Sequence, residues 1–130
     1  FKTANVTAAT TTWYMGLIAS NNYSAISTGD TMSSHSGWME SGAVGALVPG
    51  YSQSTRRQLT MASASSGSKA TSNAVVFSIN RAGTVKGAFI VNESTKAGTT
   101  GTLYSAGLFT VGDKVVTSGD TLNVTYTASA

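Results

Sequence analysis

The single histidine of the chain, His35, stands between Ser34 and Ser36, with Asp30 ahead of it and Glu40 behind. A hydroxyl, an imidazole and a carboxylate are the parts of a nucleophilic triad. That chemistry needs the nucleophile held against its base and a third group orienting the base. No G-x-S-x-G elbow is present to expose a strained serine. His35 therefore reads as a hydrogen-bonder that fixes its own loop. Asp30 with Glu40 has the composition of a glycosidase pair, but two carboxylates separated along irregular chain do not define a cleft, and solvated or turn-capping carboxylates are expected instead. One histidine and five scattered acidic residues cannot form a zinc set. Asp30, Asp113 and Asp120 fall in separate turns, so calcium bound through turn carboxylates is the one metal reading left. No phosphate-cradling glycine motif occurs. The expectation is no catalytic residue, no metal and no cofactor.

The residues better suited to recognition are aromatic and basic. Trp13, Tyr14, Trp38 and Tyr51 are among the large aromatics of the first half, and Arg56 and Arg57 are the only adjacent cations. Aromatics with arginine are the usual anchors of protein interfaces. Trp13, Trp38, Tyr51, Arg56 and Arg57 are thus candidates for a docking surface, or else they plug the core or a barrel end. Phe1 and Lys2 join the candidates because residues 1–11 read as an extended arm able to reach a neighbour. A sugar-binding module is a separate reading, in which Trp13, Trp38 or Tyr51 would stack on sugar rings.

The elements that would position these residues are strands. Residues 12–19, Thr-Trp-Tyr-Met-Gly-Leu-Ile-Ala, are apolar on both parities, which predicts a strand buried on both sides or lying at an interface. Residues 20–54 carry turn formers and little periodicity, with Asp30 or Thr31 placed to cap a single helical turn through His35. So long an irregular stretch hides a hairpin or is a functional excursion. Alternation resumes at 57–62, where Leu59 and Met61 share a face. The Ser/Gly/Ala run of 64–72 reads as a flexible loop. Residues 74–80 place Val75, Phe77 and Ile79 on one face, and with 84–91 they predict a hairpin in which Val85, Gly87, Phe89 and Val91 share a parity. Further strands are expected at 102–110, at the edge 114–116 and at 121–127, with Leu122, Val124 and Tyr126 inward. Short strands at this spacing with no amphipathic helix predict an all-β chain: an antiparallel β-sandwich, jelly-roll or Ig-like, or a small β-barrel.

Composition bounds the rest. The chain has 130 residues, enough for a single β domain spanning 1–130. Only 10% of its residues are charged, whereas 19 Ser, 20 Thr, 17 Ala and 14 Gly dominate it. The net charge of +3 is scattered, so no nucleic-acid partner is expected. No apolar run approaches the length of a membrane helix, and no membrane partner is expected. Phe1-Lys2-Thr3 shows no signal-peptide pattern. With no cysteine, folding rests on burial and backbone pairing. Four N-x-S/T sequons, beginning at Asn5, Asn22, Asn92 and Asn123, are expected by chance at this Ser/Thr content.

Several segments carry a resemblance. Trp13-Tyr14-Met15-Gly16-Leu17, then Asp30-Thr31-Met32-x-Ser34-His35-x-Gly37-Trp38-x-Glu40, then Tyr51 and Arg57, resemble a family of small tailed-bacteriophage virion structural proteins. Gly101-Thr102-Leu103-Tyr104, Gly112-Asp113-Lys114 and residues 119–125 extend the resemblance, which covers 13–127. It implies a non-enzymatic structural protein of the particle, of head decoration or cement type. Such a protein would bind the major capsid protein on the capsid exterior, form a homo-oligomer, and be made in the bacterial host cytoplasm. A tail or neck component is the alternative within the particle, and a carbohydrate-binding or host-adhesion module the alternative outside that class.

Overall fold

A strand with no polar face has nowhere to go but between two apolar layers. In a computed structural model, which describes residues 12–42, 49–59, 68–70 and 74–129, the first strand takes that position. The strands in chain order are β1 (Tyr14–Ala19), β2 (Gly50–Tyr51), β3 (Arg57–Gln58), β4 (Ser68–Ala70), β5 (Val75–Arg81), β6 (Gly83–Val91), β7 (Leu103–Leu108), β8 (Lys114–Val116), β9 (Thr121–Val124) and β10 (Thr127–Ser129). No helix occurs among the described residues. One sheet runs β3-β1-β6-β7, with β8 also paired to β6; a second runs β2-β5-β9; β4 and β10 form a two-stranded ribbon. All pairings are antiparallel. The chain is all-β and sandwich-like, as its alternation predicts.

Met15 and Leu17 of β1 and Val85 and Ile90 of β6 face Val75, Phe77, Ile79, Leu122 and Val124 of the second sheet, and all are buried. Each such side chain withdrawn from water contributes about 1.5–3 kcal/mol. The opposite face of the larger sheet is covered as well. There Ile18, Phe89 and Val91 pack against Met32 and Trp38, which the long connection after β1 lays across the strands. Gly16 makes this second layer thin enough, since a Cβ at that position would overlap the tip of the Phe89 ring.

The hairpin expected from β5 and β6 does not form. Strand β5 pairs with β2 and β9 in the second sheet and β6 with β1, β7 and β8 in the larger one, so the chain crosses between the sheets at Ala82. The faces of β6 are not those of simple alternation either. Ile18 pairs with Gly87 and Ala19 with Val85, so Lys86 is an extra residue on β6. A bulge of this kind flips the side chains beyond it. Val85 consequently enters the sandwich core with Ile90, not the outer layer with Phe89 and Val91.

Three other expectations are corrected. No helical turn runs through His35; Thr31 and Ser34 instead close a tight bridge with two backbone hydrogen bonds. The run 64–72 is not simply loop, because Ser68–Ala70 pairs with Thr127–Ser129. The last strand stops at Val124 and the chain resumes pairing at Thr127, on a different partner. Beyond Leu59 the strand expected over 57–62 lies outside the described residues, as does the arm 1–11.

Strands β7 and β8 are one edge strand interrupted. Gly87 pairs with Leu108 and Val85 with Lys114, so residues 109–113 leave and rejoin the same side of β6. The excursion is tied down by Phe109 N–H donating to Lys86 O at 3.0 Å and by Lys86 Nζ to Asp113 at 3.1 Å.

Candidate functional site

Charged side chains are scarce in this chain, and one opposite-charge pair is entirely withdrawn from solvent. Arg56, just before β3, and Glu40, at the end of the long connection after β1, have side-chain exposures of 0% and 6%. Arg56 Nε donates to Glu40 Oε2 at 2.9 Å and Nη2 to Oε1 at 2.7 Å, a bidentate pairing. Nη1 also donates to Glu93 O at 2.8 Å and Nη2 to Gly98 O at 3.1 Å. Glu40 Oε1 accepts in addition from Ala97 N–H at 2.9 Å. The guanidinium carbon lies 5.1 Å from the Phe89 ring centroid, a cation–π contact at a buried site. Two charges so buried are tolerable only because nearly every donor and acceptor is matched.

The pair welds together three segments: the end of the 20–42 connection, the residue before β3, and the 93–98 connection between β6 and β7. Ala97 holds a left-handed backbone conformation, φ 62°, where alanine is strained, and its N–H is the one bound by Glu40. Arg56 N–H donates to Ser94 O at 2.9 Å, adding a backbone tie to the same connection.

Around the pair the ionisations are displaced. Burial lowers the Lys96 ammonium below its ordinary value, against the opposing pull of Glu40. Lys96 Nζ donates to Tyr51 O at 2.8 Å and sits 3.7 Å from the Tyr51 ring centroid. Burial, then the Glu40 charge, pushes the Tyr51 phenol far above its ordinary value, and its hydroxyl is buried without a partner. Glu93 is held below the usual carboxylate range by the Thr95 hydroxyl and then by the Thr95 backbone N–H.

The other chemistry-bearing residues anchor the long connection. Trp38 Nε1 donates to Asp30 Oδ2 at 3.0 Å, and the same oxygen accepts from Ser27 N–H at 2.8 Å. His35 stacks on Trp38 with ring centroids 3.8 Å apart, and its Nδ1 lies 2.9 Å from Trp38 O. His35 thus fixes its own loop. Asp30 and Glu40 serve different partners and share no cleft. Asp113 is on Lys86, and Asp120 accepts from Thr117 N–H at 2.8 Å. Among the described residues no three His, Asp or Glu side chains gather as a metal set would.

The aromatics and arginines offered either to a docking surface or to the core divide between the interior and its margin. Trp38, Tyr51 and Arg56 are buried inside the chain, at 1%, 3% and 1% exposure, because one anchors the outer layer, one plugs the core and one neutralises Glu40. Trp13 and Arg57 are half-buried; Trp13 packs on Tyr104 with centroids 4.9 Å apart, and Arg57 Nε donates to Val76 O. Phe1 and Lys2 lie outside the described residues. No local signal marks Arg56 and Glu40 as partners, although with so few charges any buried one has to find its counter-ion.

The residues define a class only as far as an all-β, sandwich-like domain whose polar chemistry is turned inward to hold connections in place. No protein-family model, curated protein or solved structure matches the chain.

Proposed function

We propose that the chain is a non-enzymatic structural protein of a tailed-bacteriophage particle, and that it decorates the head by binding the lattice of the major capsid protein. The reading comes from the resemblance of residues 13–127. One observation carries it further: the side chains of that resemblance are spent on rigidity. Asp30, His35, Trp38, Glu40 and Tyr51 each anchor a connection or fill the interior. A cement protein needs this kind of body, which keeps its shape while many copies add their binding free energy to the shell. A ligand that binds only the assembled lattice stabilises it by about 2.7 kcal/mol per site at a hundredfold excess over Kd.

The sugar-binding reading has less to stand on. Two of its three candidate stacking rings, Trp38 and Tyr51, face the interior. The deciding experiment is cryo-electron microscopy of the purified full chain mixed with expanded heads lacking it and, separately, with tails. Ordered density at regular capsid positions is the expected result. Bare heads with decorated tails would replace the assignment by a tail or neck role, and bare particles of both kinds would overturn it.

A further inference from the structure

Among the described residues the sandwich is open along one side. Strand β9 ends the β2-β5-β9 sheet, and β7 lies at the border of the larger sheet. Between these two borders runs a groove of about 480 Å³ that reaches Met15 and Ala88 at its floor, with Gly107 and Leu108 on one wall and Leu122 and Val124 on the other. Its rim carries uncovered apolar surface, Leu108 at 49% and Val111 at 76% exposure. Gly107 leaves its wall bare, since a Cβ there would meet nothing within 4 Å.

Among the described residues β9 has a strand partner on one side only, β5. Ser78 O is bonded by Ser52 N–H of the β2 side, whereas Ile79 N–H donates to Asp120 O, so alternate residues of β5 serve opposite neighbours. Phe77, paired with Leu122, serves β9, which leaves the backbone groups of Asn123 pointing away from the sheet. Thr121–Val124 contains no charge or proline of the kind that protects exposed strand borders.

We propose that this groove receives residues 1–11 of a second copy of the chain, added as a strand along β9. The sequence of that segment suits the site. In an extended conformation Ala4, Val6 and Ala8 share one face and Thr3, Asn5 and Thr7 the other, an apolar stripe for the groove and a polar one for solvent. Eleven extended residues span roughly 36 Å, against roughly 20 Å for the six residues 121–126, leaving several to bridge two bodies. The segment joins β1 at Trp13, whose carbonyl accepts from Leu59 N–H on the β3 side and whose ring packs on Tyr104 of β7. Ala8-Ala9-Thr10-Thr11-Thr12 contains no Gly, Pro, Asn or Asp to turn the chain back, and three β-branched residues favour continuing straight. A neighbour's groove is the destination these features select. The inference does not depend on the phage assignment.

The test is sedimentation of the full chain over a concentration series, with Val6→Asp to spoil the inserted strand and Leu108→Asp to spoil the groove. Wild-type chain is expected to self-associate, each substitution to weaken association about a hundredfold or more, and the thermal melt of the dilute monomer to stay in place. Equimolar Val6→Asp and Leu108→Asp chains are expected to recover a dimer, since each supplies what the other lacks. Wild type that sediments as a monomer throughout, association that survives both substitutions, or failure of the two variants to complement each other would overturn the proposal.

Discussion

Replacing Arg56 by methionine keeps most of the side-chain volume and removes the charge that neutralises Glu40. The carboxylate then stays at 6% exposure with only the Ala97 N–H at 2.9 Å as a partner. Glu93 O and Gly98 O lose their donors at the same time. An uncompensated buried charge costs about 3–5 kcal/mol, a large part of the 5–15 kcal/mol that holds an ordinary domain. Urea unfolding at pH 7, followed by the fluorescence of the buried Trp38, should show that loss, with Tm lowered by about 10–20 °C. The physical claim is sharper in the double variant. Arg56→Met with Glu40→Leu removes both charges, so its cost should fall short of the summed single costs by about 2–3 kcal/mol. A single substitution that costs less than about 1 kcal/mol, or strictly additive costs, would refute the picture of a desolvated pair on which the 93–98 connection depends.

Two further outcomes follow from local geometry. Gly16→Ala should cost about 1–3 kcal/mol in the same assay, because Phe89 is held between Trp38 at 5.1 Å and Arg56 at 5.1 Å and cannot yield to a new methyl. Above pH 10 the unfolded chain gives up the Tyr51 proton while the folded chain, whose phenol is pushed up by burial, keeps it. Stability should therefore fall there by up to about 1.4 kcal/mol per pH unit from this residue, and Tyr51→Phe should remove that share of the slope. Lys96 acts in the opposite sense, its lowered ammonium adding stability as pH rises toward about 10.4 and nothing beyond. An unchanged alkaline slope in the phenylalanine variant, measured by urea unfolding at several pH values, would contradict the burial of that hydroxyl.

The strands were legible because their cause is local. Val75, Phe77 and Ile79 alternate, Leu122 and Val124 alternate, and β1 is apolar on both parities because it is buried on both faces. The outer layer was not legible. Met32 and Trp38 are two anchors set among turn formers, with no period to connect them to Phe89. The destination of Val85 depended on a single extra residue at Lys86, and a bulge leaves no mark in an alternating pattern. The brief strand at Ser68–Ala70 is made by its partner, not by its own composition. For the candidate site, the sequence left Trp38, Tyr51 and Arg56 open between an interface and the core, and all three are buried. A tryptophan and an arginine between turns look the same on paper whether they face outward to a partner or inward to a counter-ion.

The arginine–glutamate link also bears on how the chain opens and closes. Its two charges come from positions 16 residues apart, and its third participant, Ala97, lies 57 residues beyond Glu40. Half-assembled states that bury one charge ahead of the other are penalised by several kcal/mol, so the segments must arrive together. The same penalty meets a folded chain that begins to loosen at any of the three. Contacts completed this late stabilise the native state without helping the chain reach it, and they slow unfolding. The link acts as a latch in time: it makes folding wait for its last segment and makes release slow once that segment is in place.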